Sequence, residues 1–130
     1  MKKMTADTQI KETAHKKFIK EKGDLSKKYK HLENDFRTAL LVIKESPCNN
    51  SISVRVAGLG KNVTLPVFKV REFKSQDFPK RGLRSGFRII YMYHEKTKCL
   101  IFMEIYHKNK KGEMDKERVK ACFDGKGNLI

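Results

Sequence analysis

At Pro47 the apolar repeat of this chain changes from steps of three and four residues to steps of two, and that change limits the folds open to it. Before it, Leu32, Phe36, Ala39, Leu40 and Ile43 fall on one side of a helix. Pro47 must end that helix, because it lacks the N–H for the ladder and its ring crowds the preceding turn. Upstream, Phe18, Leu25, Tyr29 and Leu32 show helical spacing with lysines on much of the other face, and Gly23-Asp24 is expected to interrupt or bend the run. After Asn49-Asn50, Ile52, Val54 and Val56 alternate with Ser53 and Arg55, which predicts a strand ending near Gly58.

Three more strands follow by the same criterion. Residues 67–73 place Phe68 and Val70 on one face and Lys69, Arg71 and Phe73 on the other. Phe87–Glu95 and Cys99–His107 are rich in β-forming residues and are joined by the short polar stretch Lys96-Thr97-Lys98, so they read as a hairpin. Met114, Arg118, Val119 and Cys122 return to helical spacing, with Asp115 near the start. The order α-α-β-β-β-β-α has no βαβ alternation to demand parallel strands. It predicts an α+β fold: two N-terminal helices within 15–46, packed through Phe18, Leu25, Leu32, Phe36, Leu40 and Ile43 on a largely antiparallel four-stranded sheet, with a short C-terminal helix. At 130 residues there is room for one core. The domain is set at 15–123, preceded by a polar extension, 1–14, that is either frayed or the first turns of a helix, and followed by a tail, 124–130.

Charge narrows the partners. Lys and Arg number 30 against 15 Asp and Glu, a net +15, with the excess in residues 1–30 and 61–130 and a balanced middle. Such a field attracts polyanions, nucleic acid first among them. Lys2 and Lys3 are followed by Met4-Thr5-Ala6-Asp7-Thr8, which lacks the apolar stretch of a signal peptide, and no segment has the length of a membrane span. Cys48, Cys99 and Cys122 are odd in number with no C-x-x-C spacing, which fits unpaired thiols in a reducing compartment. A cytoplasmic protein with no membrane partner is expected.

The strand Val67-Phe68-Lys69-Val70-Arg71, the hairpin opening Ser85-Gly86-Phe87-Arg88-Ile89-Ile90-Tyr91 and closing Glu104-Ile105-Tyr106-His107-Lys108, and the preceding helices with Lys27-Lys28-Tyr29 carry a family likeness in their order and spacing. Across about residues 15–122 the chain resembles the RelE-like toxins of the RelE/ParE superfamily of type II toxin–antitoxin systems. The resemblance implies a compact α+β toxin whose concave sheet face binds RNA and is covered by a cognate antitoxin. In ribosome-dependent members, basic strand residues promote attack of a ribose 2′-hydroxyl on the adjacent phosphate without a bound metal. The matching positions are Lys69, Arg71 and Arg88, with Lys108 as a fourth; Arg71 stands where some relatives have lysine. Several relatives also carry a catalytic tyrosine near the C-terminus, and Met114 through Ile130 contains none, which leaves Tyr93, Tyr106 and His107 as substitutes.

Residue chemistry supports the same group. Phosphate cleavage needs positive donors where charge builds on phosphoryl oxygens, and groups that take and give protons. Arginine stays charged, so Lys69 is the better base, with His107 the second choice. The segment Ser75–Gly86 forms a basic loop whose Lys80, Arg81 and Arg84 are RNA-binding candidates, together with Lys110 and Lys111. Tyr93 and Tyr106 either stack on RNA or pack, whereas the alternation of Phe87, Ile89 and Tyr91 marks core. His94 and His107 lack the Cys, Asp or Glu companions of a zinc site, and Gly58-Leu59-Gly60-Lys61 lacks the full phosphate-loop pattern, so neither metal nor cofactor is expected. The leading expectation is an mRNA interferase, an endoribonuclease acting on ribosome-bound mRNA, with the ribosome, mRNA and an antitoxin as partners, as a free monomer or a toxin–antitoxin hetero-oligomer. The alternatives are a ParE-like inhibitor of DNA gyrase and a non-catalytic RNA-binding protein.

Overall fold

A computed structural model describes residues 9–130. The first eight residues of the expected extension lie outside them. The elements are β1 (Lys11–Ala14), α1 (Lys16–Lys28), α2 (Leu32–Glu45), β2 (Ser53–Arg55), β3 (Val67–Val70), β4 (Phe87–His94), β5 (Cys99–His107) and α3 (Lys116–Lys120), with a 3-10 turn at Pro79–Arg81. The strands form one sheet in the order β1-β5-β4-β3-β2. The α+β class is as expected, but the four-stranded sheet is corrected to five. β1 joins at the edge, parallel to β5, with Lys11 opposite Cys99 and Ala14 opposite Phe102.

The polar segment 11–14 forms a strand because the β5 edge supplies what its side chains do not. Lys11 N–H donates to the Lys98 carbonyl (2.8 Å) and His15 N–H to that of Phe102 (2.8 Å). Only ladder bonds are needed there, so three of its four residues remain exposed and no apolar alternation announces it. The His15 imidazole then caps α1 by accepting from Lys17 N–H at 3.0 Å. Gly23-Asp24 does not break α1. Both are exposed, Asp24 pairs with Lys20 (2.9 Å), and one glycine costs a packed helix only about 1 kcal/mol. The break comes at Tyr29, which turns to an extended backbone and sets its ring against Phe78 and Phe87.

Two apolar layers enclose the sheet. On one side Phe18, Leu32, Phe36, Leu40 and Ile43 of the helices meet Phe68, Val70, Ile89, Tyr91, Phe102 and Ile105, with Leu25 half-buried at the margin. On the other, Val67, Ile90, Met92, Met103 and Tyr106 are covered by Val119 of α3, Phe123 and Leu59. Phe73 is corrected to the helical side: the chain leaves β3 after Val70 and carries Phe73 back to pack against Phe87. Within the hairpin, Ile90 pairs with Glu104 and Tyr91 with Phe102, so Met103 is an extra residue in a β-bulge. Beyond Ala14 the β5 edge is sealed by side chains. Arg118 of α3 donates to the Met103 carbonyl (2.7 Å) and to both Glu21 carboxylate oxygens, while Ile105 N–H donates to Glu21 Oε1 at 3.3 Å. The tail folds back, with Ile130 N–H on the Cys122 carbonyl (2.8 Å) and the Thr64 hydroxyl on that of Gly127 (2.8 Å).

Candidate nucleic-acid interface

Cross-strand register determines which basic residues share a surface. Lys69 lies between Val54 on β2 and Ile90 on β4, and Ile90 in turn faces Glu104. Arg88, two residues from Ile90, points to the same side, as does Arg71, two residues beyond Lys69. This is the face turned away from α1 and α2. α3 and the 57–65 segment cover only part of it, and the remainder is an open groove of about 710 Å³ lined by Ser51, Ile52, Val54, Arg71, Glu72, Arg81, Leu83, Arg84, Arg88 and Lys108.

Five of those residues are cations, and none makes an ion pair among the described residues. Arg88 is half-buried; its guanidinium donates to the carbonyls of Phe87 (3.2 Å) and Arg71 (3.4 Å), which lays it along the ends of β3 and β4. Arg81 rests 5.0 Å from the Phe78 ring centroid. Unpaired cations crowded into one concavity raise each other's electrostatic energy, and an anion relieves it. The walls add apolar surface, since Val54 and Leu83 are among the few large hydrophobic side chains left exposed.

The loop between β3 and β4 holds Arg81 and Arg84 in place by anchors at both ends. Phe73 N–H donates to the Leu83 carbonyl (3.1 Å), and the Ser85 hydroxyl bonds the Phe73 carbonyl. Asp35, buried on α2, accepts from both the backbone and the side-chain amide of Gln76 at 2.9 Å each. Asp77 accepts from His31 N–H (3.1 Å) and meets the His31 ring at 3.0 Å. Asp35 went unnoticed in the sequence, although an acid inside the stripe Leu32, Phe36, Ala39 is a signal in itself, because a buried charge demands partners.

The groove gathers Arg71, Arg88, Lys108, Arg81 and Arg84. Lys69 is on the same face but lines a neighbouring cavity of about 250 Å³ with Val54, Glu113, Met114 and Lys116. His107 is not brought to the groove. It is buried on the helical side among Tyr29, Phe78 and Phe87, with Nε2 2.9 Å from the Ser85 carbonyl and Nδ1 accepting from Asn109 N–H. Burial, reinforced by Arg81, Lys108 and Arg88, holds its pKa below the ordinary value. Tyr106 lies directly across from Arg88 but is buried, with the Lys111 ammonium over its ring. Lys111 is also drawn to the buried Glu104 carboxylate, away from the groove. Tyr93 is buried at the opposite end of β4, beside a cavity lined by Cys48 and His94, and offers no stacking platform here. Lys80 and Lys110 are exposed outside the groove lining. Among the described residues no three His, Cys, Asp or Glu side chains are grouped to hold a metal ion, and no helix is long and apolar enough to cross a membrane.

Two helices packed against one face of this five-stranded sheet give the chain a RelE-like fold. The solved structure that carries the likeness is a chain of the archaeal RelE–RelB complex from Pyrococcus horikoshii OT3, with a TM-score of 0.52 and 16% identity over 78% of this chain and 97% of that one. No family model matches the sequence, and no curated protein does so.

Proposed function

We propose that this chain is the toxin of a type II toxin–antitoxin pair and that it cleaves ribosome-bound mRNA without a metal ion. The observation that carries the reading is the groove in which Arg71, Arg81, Arg84, Arg88 and Lys108 converge with no ion-pair partner among the described residues. The likeness to a chain solved as RelE with RelB supports both the toxin assignment and an antitoxin partner. In the reaction a ribose 2′-oxygen forms a bond to the adjacent phosphorus, and the bond to the departing 5′-oxygen breaks, leaving a cyclic phosphate and a 5′-hydroxyl. Arg88 and Arg71 donate to the phosphoryl oxygens as charge gathers on them. Lys69, diagonal to Arg88 across the β3–β4 pair, takes the 2′-hydroxyl proton, and Lys108 returns one to the 5′-oxygen. His107, buried on the far face, acts only through the loop it supports.

Translation in a purified system with mapping of mRNA 5′ ends tests this. Cuts inside the ribosomal A-site codon are expected, and Arg88→Ala should slow them by about 10²–10³-fold, the scale for losing one preorganised donor. Arg88→Lys restores charge without the planar fork and should recover activity only in part. Intact mRNA alongside inhibited DNA supercoiling, or a folded Arg88→Ala protein cutting at the parental rate, would overturn the proposal.

A further inference from the structure

The basic groove does not end at its own rim. Its wall residue Val54 also lines the Lys69 cavity. That cavity shares Arg55 and Val56 with a third concavity running over Ala57, Gly58 and Leu59, and the third shares Leu59, Gly60 and Val63 with a fourth, where Lys61 and Lys120 stand. Four depressions thus adjoin in sequence along β2 and the connection after it. Cations recur along them: the groove set, then Lys69 and Lys116, then Lys61 and Lys120. The Lys116 ammonium reaches over the second junction, 3.8 Å from where a side chain on Gly58 would begin. Lys120 is paired with Glu117 at 3.4 Å, an exposed contact worth little, and Glu113 is the acid beside Lys116.

We infer that these depressions form one track for the backbone of a single RNA strand, which enters the groove at Arg81 and Arg84 and leaves past Lys116 and Lys61. The inference rests on the RNA-cleaving reading of the groove and extends it to the length of substrate held. Three observations favour this occupant. At least one cation lines each depression in turn. The surface is a run of small adjoining concavities, a shape that a single strand can follow. Beyond Val54 the outer half carries no fully exposed large hydrophobic side chain among the described residues, with Leu59 and Phe123 buried, so a partner peptide would find few anchors there. Phe123, the aromatic side chain lining the outer half, is buried, so binding in that half is to phosphates and is indifferent to base sequence.

Fluorescein-labelled oligouridylates of 4 and 12 nucleotides titrated into the full chain test the track. The longer strand should bind about ten-fold more tightly than the shorter. Lys61→Gln with Lys116→Gln should remove most of that gain, a loss of about five-fold or more, and leave the 4-mer unchanged. Lys16→Gln with Lys30→Gln, equal in charge but on the helical side, should alter either affinity by no more than about two-fold. A 12-mer that binds the Lys61/Lys116 variant undiminished, or falls equally in the control, overturns the track while leaving the groove reading intact. An RNA duplex that competes as well as the strand, or a polyglutamate peptide that competes better, overturns the choice of occupant. If neither oligonucleotide binds, the track is overturned, while the groove reading is still decided by cutting of ribosome-bound mRNA.

Discussion

His107 stands beside a cluster of cations and is used to hold the loop that carries them. Its ring fills the space over Gly86, whose φ of +99° and a Cβ contact of only 2.8 Å to the imidazole leave room for no side chain there. The neutral ring is the one that fits, since protonation would add charge to a buried site facing Arg81, Lys108 and Arg88, with only the Ser85 carbonyl in its favour. The folded pKa therefore lies below the unfolded 6.5. The unfolded chain binds the proton more readily, so this stability is fully present above the unfolded value and is lost as pH falls below it toward the folded pKa. His15, also lowered, acts in the same sense. Urea unfolding between about pH 7.5 and 5 should show His107→Gln losing less stability on acidification than the parent. Parallel curves for the two proteins would show that His107 does not set the pH response.

Secondary structure was largely legible because helices and strands on a core announce their buried side by period: Leu32 to Ile43 and Phe87 to Tyr91 are found where that period places them. The misses lie where backbone geometry decides. Unbroken alternation along β5 would put His107 with Ile101 and Met103, on the groove side; the bulge at Met103 shifts the phase, turning His107 to the helices and Tyr106 toward Arg88. No residue type marks that bulge. β1 escaped notice for a different reason: of its four residues only Ala14 packs on the core, so no apolar alternation marks a strand whose pairing with β5 is made by the main chain. Removing residues 1–14 should bare the β5 edge from Cys99 to Phe102 and the core contacts of Ile10 and Ala14. An open edge recruits another strand. The truncated chain should associate in sedimentation velocity at concentrations where the full chain sediments as one species, and should unfold at lower temperature. Unchanged sedimentation and melting would mean that β1 contributes nothing to either.

Across the molecule, charge of +15 is distributed so that acids serve the scaffold and cations the groove. Glu21, Asp35, Asp77 and Glu104 each hold a helix, loop or edge in place, while the five groove cations have no acidic partner among the described residues. Release of counterions from a single strand meeting those five should give a log–log slope of affinity against salt of about −3 to −4, measured by fluorescence anisotropy with RNA. A flat dependence would mean that the groove cations do not meet phosphates. The place of β1 also bears on how a chain of this kind is made. Among the described residues β1 precedes every other element, yet the strand it pairs with, β5, is the last of the sheet in chain order. That pairing closes a loop of most of the chain, which makes it a late step in folding. Until it forms, the helices and the antiparallel strands can be in place while the β5 edge stays open, so the step that closes this edge is the one that completes the sheet.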